Sequence, residues 1–230
     1  MGLTEINRKT EQIMLNVPKV YEAGQNAGGG ESVPNYLYYG TRFDSTFVGA
    51  VFPENFEFVL RVQRLSAVNS LNGTFNNCSN LKSIKLINEN PNDLVLNMQN
   101  TFAIASGNSP TLEIIDITGF NRKFSTCLNT FRYQKKLKSV FGKIDLSACI
   151  STANMFQNCE ALEDVEFESE TIKLSISFAQ SSKLSANSIQ SIIDGLATVT
   201  TAQTITFHGS IVLTDTQKAT ISSKGWTLAQ

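Results

Sequence analysis

The stretch that decides the fold reads Thr74-Phe75-Asn76-Asn77-Cys78-Ser79-Asn80-Leu81-Lys82-Ser83-Ile84-Lys85-Leu86. Its core is a Phe, a Leu six residues later, and apolar residues three and five positions further on. The phrase occurs five times, with one stretched copy, at Phe75/Leu81, Phe102/Leu112, Phe131/Leu137, Phe156/Leu162 and Phe178/Leu184. Successive Leu positions are 22 to 31 residues apart. A unit of that length cannot bury its own apolar face, so it must stack on its neighbours.

The spacing also predicts a fold class. The segment Leu81-x-x-Ile84-x-Leu86 fits the leucine-rich pattern L-x-x-L-x-L, in which alternate apolar residues point into the coil. We therefore expect an α/β protein, namely a leucine-rich-repeat solenoid of about five irregular coils with an N-terminal helix arm and a C-terminal α/β cap. Solenoids present large surfaces, which favours binding over catalysis.

Four segments follow from this reading. Residues 1–30 are predicted to be an attachment helix and a Gly-rich hinge, and residues 31–68 an N-terminal cap. Residues 69–184 are the repeat region, and residues 185–230 are the C-terminal α/β cap. Strands are expected over 33–39 and 56–62, where apolar and polar residues partly alternate.

The N-terminal helix is predicted over residues 4–24, because its apolar side chains step by three and four as in a heptad seam. Pro18 ends or kinks it near Val17. The alternative is a disordered terminus. A helix this short must pack on copies of itself or on a partner. The residues predicted to attach or oligomerise are Leu3, Ile6, Ile13, Val17 and Val20.

The last segment leaves the repeat. A helix capped by Ser185 is expected to run to Leu196, followed by a strand over 204–207. Thr214 is expected to cap a second helix over 215–223, with Gly225 just past its end. A short strand over 226–228 completes the segment.

Composition limits the partners. The chain has 230 residues, a net charge of −1 and only 17% charged residues, which argues against a nucleic-acid partner. No run of 18 apolar residues is present, so membrane insertion is not expected. The N-terminus lacks the apolar region of a secretory signal.

The four cysteines do not form a C-x-x-C pair, so a zinc site is not expected. Cys78 and Cys159 occupy the same turn slot three coils apart, a separation of about 15 Å that a disulfide cannot span. In this slot, Asn and Cys side chains can satisfy backbone groups of adjacent coils. We expect buried or half-buried free thiols.

The sequence contains no recognisable catalytic motif. His208 is the single histidine, and no G-x-S-x-G, H-E-x-x-H, Walker A or G-x-G-x-x-G motif accompanies it. Glu166, Glu168 and Glu170 alternate along a predicted strand and fit a solvated face better than a cation site. We therefore expect no enzyme activity, no cofactor and no metal.

A column of alternating charge supports the stack. The residue after each repeat Leu is Lys82, Glu113, Lys138 and Glu163 in successive coils. Neighbours in this column would lie about 5 Å apart and could pair across coils. Lys135 and Glu160 are a second pair of the same kind; the alternative is chance placement of solvated charges.

The phrase T-F-x-N-C-x-x-L-K-x-I-x-L resembles the BspA-type leucine-rich repeats of bacterial surface proteins and bacteriophages, and the copy at Phe156 matches it again. The stretch 17–24 is similar to a phrase near the start of structural proteins in phages of Gram-positive gut bacteria. The stretch 213–229 is similar to the end of repeat-bearing phage proteins. These resemblances imply a virion protein made in the host cytoplasm, located on the tail, the baseplate or the capsid. Function inferred this way rests on analogy.

The leading hypothesis is therefore a non-enzymatic bacteriophage virion protein whose N-terminal helix docks to the particle, as a homotrimer or on another virion protein. Its repeat surface would bind a host cell-surface component or neighbouring virion proteins. Candidate surface residues are Gly107, Asn108, Arg132, Tyr133 and Lys135. Alternatives are a decorating module without host contact, a secreted bacterial leucine-rich-repeat adhesin and, least favoured, an enzyme.

Overall fold

The computed structural model describes residues 20–22, 35–39, 44–64, 70–88 and 95–230. The strands in these ranges are β1 (Val20–Glu22), β2 (Asn35–Tyr39), β3 (Val51–Arg64), β4 (Ser79–Asn88), β5 (Val95–Asn97), β6 (Ile114–Asp116), β7 (Lys123–Thr126), β8 (Ser139–Ile144), β9 (Asp164–Phe167), β10 (Ile176–Phe178), β11 (Gln203–Phe207) and β12 (Trp226–Ala229). The helices are α1 (Ala186–Gly195) and α2 (Asp215–Ser223).

The strands form three sheets within the described ranges. The largest has the order β1-β2-β3-β4-β6-β8-β9, and the two smaller ones are β10-β11-β12 and β5-β7. Every pairing is parallel except that of β1 with β2. Parallel neighbours need a long connection between them, so each turn of the chain adds one strand to the large sheet.

The second half of the repeat phrase forms this sheet. Ile84 is in register with Ile115, Ile115 with Val140, and Val140 with Val165. All four side chains are buried, with at most 2% of their surface exposed. Alternate side chains of a strand point to the same face of the sheet. The four residues, one from each strand, therefore form a continuous buried row on the inner face.

The first half of the phrase forms tight turns that stack a column of phenylalanines. Their ring centroids are 4.8 to 6.2 Å apart and the rings are inclined by 2° to 26°. The column contains two members beyond the five copies recognised in the sequence, Phe47 and Phe207. The members, in order, are Phe47, Phe75, Phe102, Phe131, Phe156, Phe178 and Phe207.

Backbone hydrogen bonds tie each turn to the next. The amide of Phe75 donates to the carbonyl of Thr101 (2.8 Å), and that of Phe102 to the carbonyl of Thr130 (2.9 Å). The residue two positions before the Phe has positive φ in five successive turns, and a second positive-φ residue often follows the Phe. Because Gly and Asn adopt this conformation most readily, they fill most of these places. The residues two before the Phe are Ser45, Gly73, Asn100, Asn129 and Asn154.

The predicted fold class is wrong. The described chain is mainly parallel β-structure with two helices near its end, and not an α/β leucine-rich-repeat solenoid with an N-terminal helix arm. The L-x-x-L-x-L spacing correctly indicates inward-facing strands, but it does not specify the connections. Here the positive-φ residues, such as Asn77 (φ 58°) and Asn129 (φ 57°), hold the connecting segments in turns that pair with the adjacent coil.

The N-terminal helix prediction fails where it can be compared. Val20–Glu22 is a strand, paired antiparallel with β2 through Val20 and Tyr38. The rest of the predicted helix, with Leu3, Ile6, Ile13 and Val17, lies outside the described residues. The strands expected over 33–39 and 56–62 are confirmed in β2 and β3.

The elements expected near the C-terminus are confirmed one by one. Ser185 caps α1 by accepting a hydrogen bond from the amide of Ser188. Thr214 and Gln217 form a reciprocal capping box at the start of α2. Gly225 follows α2 with φ +84°, and a Cβ there would lie 2.4 Å from the carbonyl oxygen of Val199. These elements depend on local signals, which explains why the sequence predicts them well.

Candidate functional site

The turns of three consecutive coils form a continuous outer surface, which we name the turn face and define as the exposed parts of residues 99–105, 128–135 and 153–160. The stacked phenylalanines support it from inside. The amides of Asn100, Phe102 and Ile104 donate to carbonyls of the next turn at 2.9 Å each. The turns of Asn129 and Asn154 are joined in the same way. The backbone therefore sets the spacing of the side chains that project outward.

A ladder of asparagine amides runs across the turn face. Asn129 Nδ2 donates to Asn100 Oδ1 (3.0 Å), and Asn154 Nδ2 donates to Asn129 Oδ1 (3.1 Å). Each of the three residues has positive φ, between 53° and 57°. Asparagine suits this position for two reasons: it tolerates the left-handed conformation, and its side-chain amide has both a donor and an acceptor. This row was not predicted, although Asn stands two residues before Phe102, Phe131 and Phe156 in the sequence.

Beside the ladder lies a cationic and aromatic group. The Arg132 guanidinium stacks on the Tyr133 ring, 4.7 Å from its centroid, and Arg132 Nε donates to Gln157 Oε1 (2.8 Å). Lys135 pairs with Glu160 at 3.0 Å, with about half of each side chain exposed. Of the predicted surface residues, Arg132, Tyr133 and Lys135 thus lie together. Lys135 is engaged in an ion pair across the coils.

The predicted loop residues lie next to this group. Residues 105–109 are exposed, and Asn108 donates its amide to the carbonyl of Ala105 (3.1 Å). Gly107 has φ +97°, and a Cβ there would meet no atom within 4 Å. Ile104, just before the loop, is hydrogen-bonded to Arg132. Gly107 and Asn108 therefore extend the turn face at one end, as the sequence predicted for a protruding loop.

The cysteine slot of the repeat has a structural role. Cys78 Sγ donates to the carbonyl of Phe47 (3.0 Å), and Cys159 Sγ donates to that of Phe131 (3.1 Å). Burial raises the pKa of Cys78 to about 12 and raises the pKa of Cys159 well above the usual range of a thiol. This confirms the prediction that Cys in this slot satisfies backbone groups of the adjacent coil. Both thiols are buried and donate to backbone carbonyls, so neither is accessible to a reactant from solution.

The charge column pairs as predicted between its two middle members. Lys138 Nζ lies 2.8 Å from Glu113 Oε2. The hydrogen bond from Lys138 lowers the pKa of Glu113, and Lys82 adds a smaller effect in the same direction. Both side chains of the pair are largely solvated, so the interaction contributes little to stability.

A shallow polar cleft lies at the junction of turns and strands, lined by Glu54, Asn55, Asn80, Lys82 and Thr111. Two of the polar side chains that line the cleft already donate hydrogen bonds to backbone carbonyls of the protein. Asn80 Nδ2 donates to the carbonyl of Phe52 (3.0 Å), and Thr111 Oγ1 donates to that of Leu81 (3.0 Å). The cleft has five lining residues, whereas the turn face extends over three coils that backbone hydrogen bonds join.

The remaining residues considered in the sequence are His208, the three alternating glutamates and the attachment residues. His208 Nδ1 lies 2.8 Å from Ser210 Oγ in an exposed turn. Glu166, Glu168 and Glu170 are exposed, and the described residues contain no group of three potential metal ligands. Val20 lies in β1, and the other predicted attachment residues, Leu3, Ile6, Ile13 and Val17, lie outside the described ranges.

Comparisons with protein-family models, with curated proteins and with solved structures find no match for this chain. Among the described residues, no helix combines the length and apolar character needed to cross a membrane.

Proposed function

We propose that the protein is a non-enzymatic bacteriophage virion component that presents the turn face to a ligand, either a host cell-surface component or another virion protein. The observation that carries the proposal is the rigid turn face. Its side chains stand in rows because the backbone of each turn is hydrogen-bonded to the next. A preorganised surface loses little conformational entropy when it binds.

The chemistry of the turn face supports a binding role. Arg and Tyr are among the residues enriched at binding interfaces, and here Arg132 and Tyr133 form a stacked pair at the surface. The amides of Asn154 and Gln157 flank the pair with donors and acceptors for polar ligands. The net charge of −1 favours a ligand recognised by hydrogen bonds and stacking rather than by bulk charge.

The virion assignment rests on the resemblances of residues 17–24, 74–86 and 213–229 to phage proteins. It is tested by purifying particles from cells that carry the gene and probing them with an antibody raised against the protein. We expect the chain to copurify with intact particles and to be labelled on their surface in electron micrographs. A chain found only in the culture medium, or on uninfected cells, would replace this proposal with the secreted adhesin.

The role of the turn face is tested by adhesion to intact cells of the strain that the phage infects. The double variant Arg132→Ala/Gln157→Ala removes the centre of the surface and leaves the phenylalanine column untouched. The matched control is Lys143→Ala/Glu166→Ala, which changes two exposed residues paired in register on β8 and β9.

We expect the turn-face variant to lose at least about tenfold in cell binding, or about 1.4 kcal/mol, and the control to bind like the unmodified protein. Equal losses in both variants, or no loss in the turn-face variant, would assign binding to another surface. If the unmodified and control proteins bind purified particles that lack the chain but do not bind cells, and the turn-face variant binds neither, the ligand is another virion protein.

A further inference from the structure

The chain contains a second pair of thiols that differs from the structural cysteines. All four cysteines lie in the described ranges, and each is a free thiol. Cys78 and Cys159 each donate to a backbone carbonyl of the neighbouring coil. Cys127 and Cys149 instead lie beside each other, because the amide of Cys127 and the thiol of Cys149 meet at the same carbonyl oxygen.

The backbone holds this pair in place. The amide of Cys127 donates to the carbonyl of Ser151 (2.7 Å), and the thiol of Cys149 reaches the same oxygen (3.2 Å). The amide of Cys149 donates to the carbonyl of Leu146 (2.9 Å). One carbonyl therefore brings together two cysteines that are 22 residues apart, at the beginning and near the end of one coil.

The two thiols are not equally accessible. Cys127 is completely buried, whereas Cys149 is half-buried next to Ile150, which is 80% exposed. The hydrogen bond from the Cys127 thiol lowers the pKa of Cys149 to about 7, with smaller contributions from the backbone of Ser151 and Cys127, although burial opposes the shift. The pKa of Cys127 is raised, mainly by burial. Cys149 is thus the more accessible thiol of the pair and the one with the lower pKa, as an attacking group requires.

We propose that Cys127 and Cys149 form a redox site, in which a small-molecule disulfide such as glutathione disulfide oxidises the two thiols to an intramolecular disulfide. The Cys149 thiolate attacks one sulfur of the small disulfide, forms a mixed disulfide and releases one thiolate. Cys127 then attacks Cys149 Sγ, and its proton passes to the second departing thiolate. The protein loses two hydrogens, and the small disulfide is reduced to two thiols.

The product would close one complete coil of the stack into a covalent ring. Cys127 begins the turn that carries Asn129 and Arg132, with its carbonyl accepting from the amide of Thr130, but the linkage uses no residue of the turn face. The redox site is therefore independent of the proposed function. A protein that fails to bind cells or particles could still form this disulfide, and the reverse also holds.

The test begins with the full chain, fully reduced and then incubated with glutathione disulfide under native conditions. Intact mass, thiol alkylation after denaturation, and peptide mapping are measured. We expect a mass loss of two hydrogens, two remaining alkylatable thiols, and a cross-linked peptide that joins Cys127 to Cys149. Four remaining thiols, or a cross-link that includes Cys78 or Cys159, would overturn the proposal.

Two variants separate the steps. In Cys127→Ser, the mixed disulfide on Cys149 cannot be displaced, so we expect a stable adduct of one glutathionyl group. The matched control Cys78→Ser should form the internal disulfide like the unmodified protein. An adduct on Cys149 in the unmodified protein that never converts to the internal disulfide would also overturn the proposal. The mapping of the unmodified chain decides the question even if a variant fails to fold.

Discussion

The phenylalanine column makes a quantitative prediction at its centre. Phe102 is 1% exposed and its ring lies between those of Phe75 and Phe131, at 5.8 and 5.7 Å and nearly parallel to both. Phe102→Ala removes a buried side chain whose transfer from water contributes about 2 kcal/mol. It also leaves a cavity of roughly 100 Å³, which at about 24 cal/mol per Å³ adds about 2.4 kcal/mol.

The cavity should not close by collapse, because backbone hydrogen bonds fix the spacing of the turns above and below. The amide of Phe75 donates to Thr101 and that of Phe102 to Thr130. We therefore expect Phe102→Ala to reduce the free energy of unfolding by about 4 kcal/mol, within the range seen for buried Phe→Ala changes. The measurement is urea denaturation followed by circular dichroism and by the fluorescence of Trp226, the single tryptophan.

The matched control is Phe141→Ala, the same change at a side chain that is 46% exposed on β8. Phe141→Ala should lower the free energy of unfolding by about 1 kcal/mol or less, because this half-exposed side chain buries little apolar surface on folding. Phe102→Leu keeps most of the buried volume and removes the ring stacking, so an intermediate loss of about 1–1.5 kcal/mol is expected. A loss below about 1.5 kcal/mol for Phe102→Ala, or one equal to that of Phe141→Ala, would refute the idea that the column stabilises the stack.

Two further predictions concern single positions. Gly142 has φ +90°, and a Cβ there would lie 2.7 Å from the Thr118 amide nitrogen, so Gly142→Ala should lower the free energy of unfolding by about 2–3 kcal/mol in thermal denaturation. The control Gly107→Ala also has a positive φ but open space around the Cβ, so it should lower that free energy by only about 1 kcal/mol. Equal losses in the two variants would contradict the steric argument. Burial raises the pKa of Asp116, but hydrogen bonds from Lys85 and Thr118 outweigh it and lower that pKa. A lowered folded-state pKa stabilises the protein above the usual carboxyl pKa of about 4, and this contribution is lost as pH falls through the folded-state pKa. The stability deficit of Asp116→Asn should therefore shrink in acid urea titrations, and a deficit that is unchanged below pH 4 would contradict it.

Local signals in the sequence identify much of the chain correctly. The Phe and Leu spacing marks the buried rows, since Phe131, Leu137 and Val140 are all buried at their predicted places. Ser185 and Thr214 mark the starts of α1 and α2, because capping depends on neighbours three residues away. The sequence also proposes Arg132, Tyr133 and Lys135 as surface residues of one coil, and in the structure Arg132 and Tyr133 are partly exposed and Lys135 is exposed.

Other features depend on contacts between coils. The strand pattern L-x-x-L-x-L predicts a leucine-rich-repeat class, yet in the structure the connections between strands are turns whose amides donate to the next coil. The amide ladder of Asn100, Asn129 and Asn154 likewise requires residues 25 to 29 positions apart to meet. A linear pattern shows the residue type at each place but not its partner.

The sequence by itself determined that repeated units stack, which side chains are buried, and where the C-terminal helices begin, because burial periodicity and capping act over a few residues. Only the tertiary structure decided that the connections are turns, that the amides of Asn100, Asn129 and Asn154 form a ladder, and that Cys127 and Cys149 meet at the carbonyl of Ser151. These contacts depend on the register between coils, which is set by the stacking of the phenylalanine rings and by hydrogen bonds between the backbones of adjacent turns.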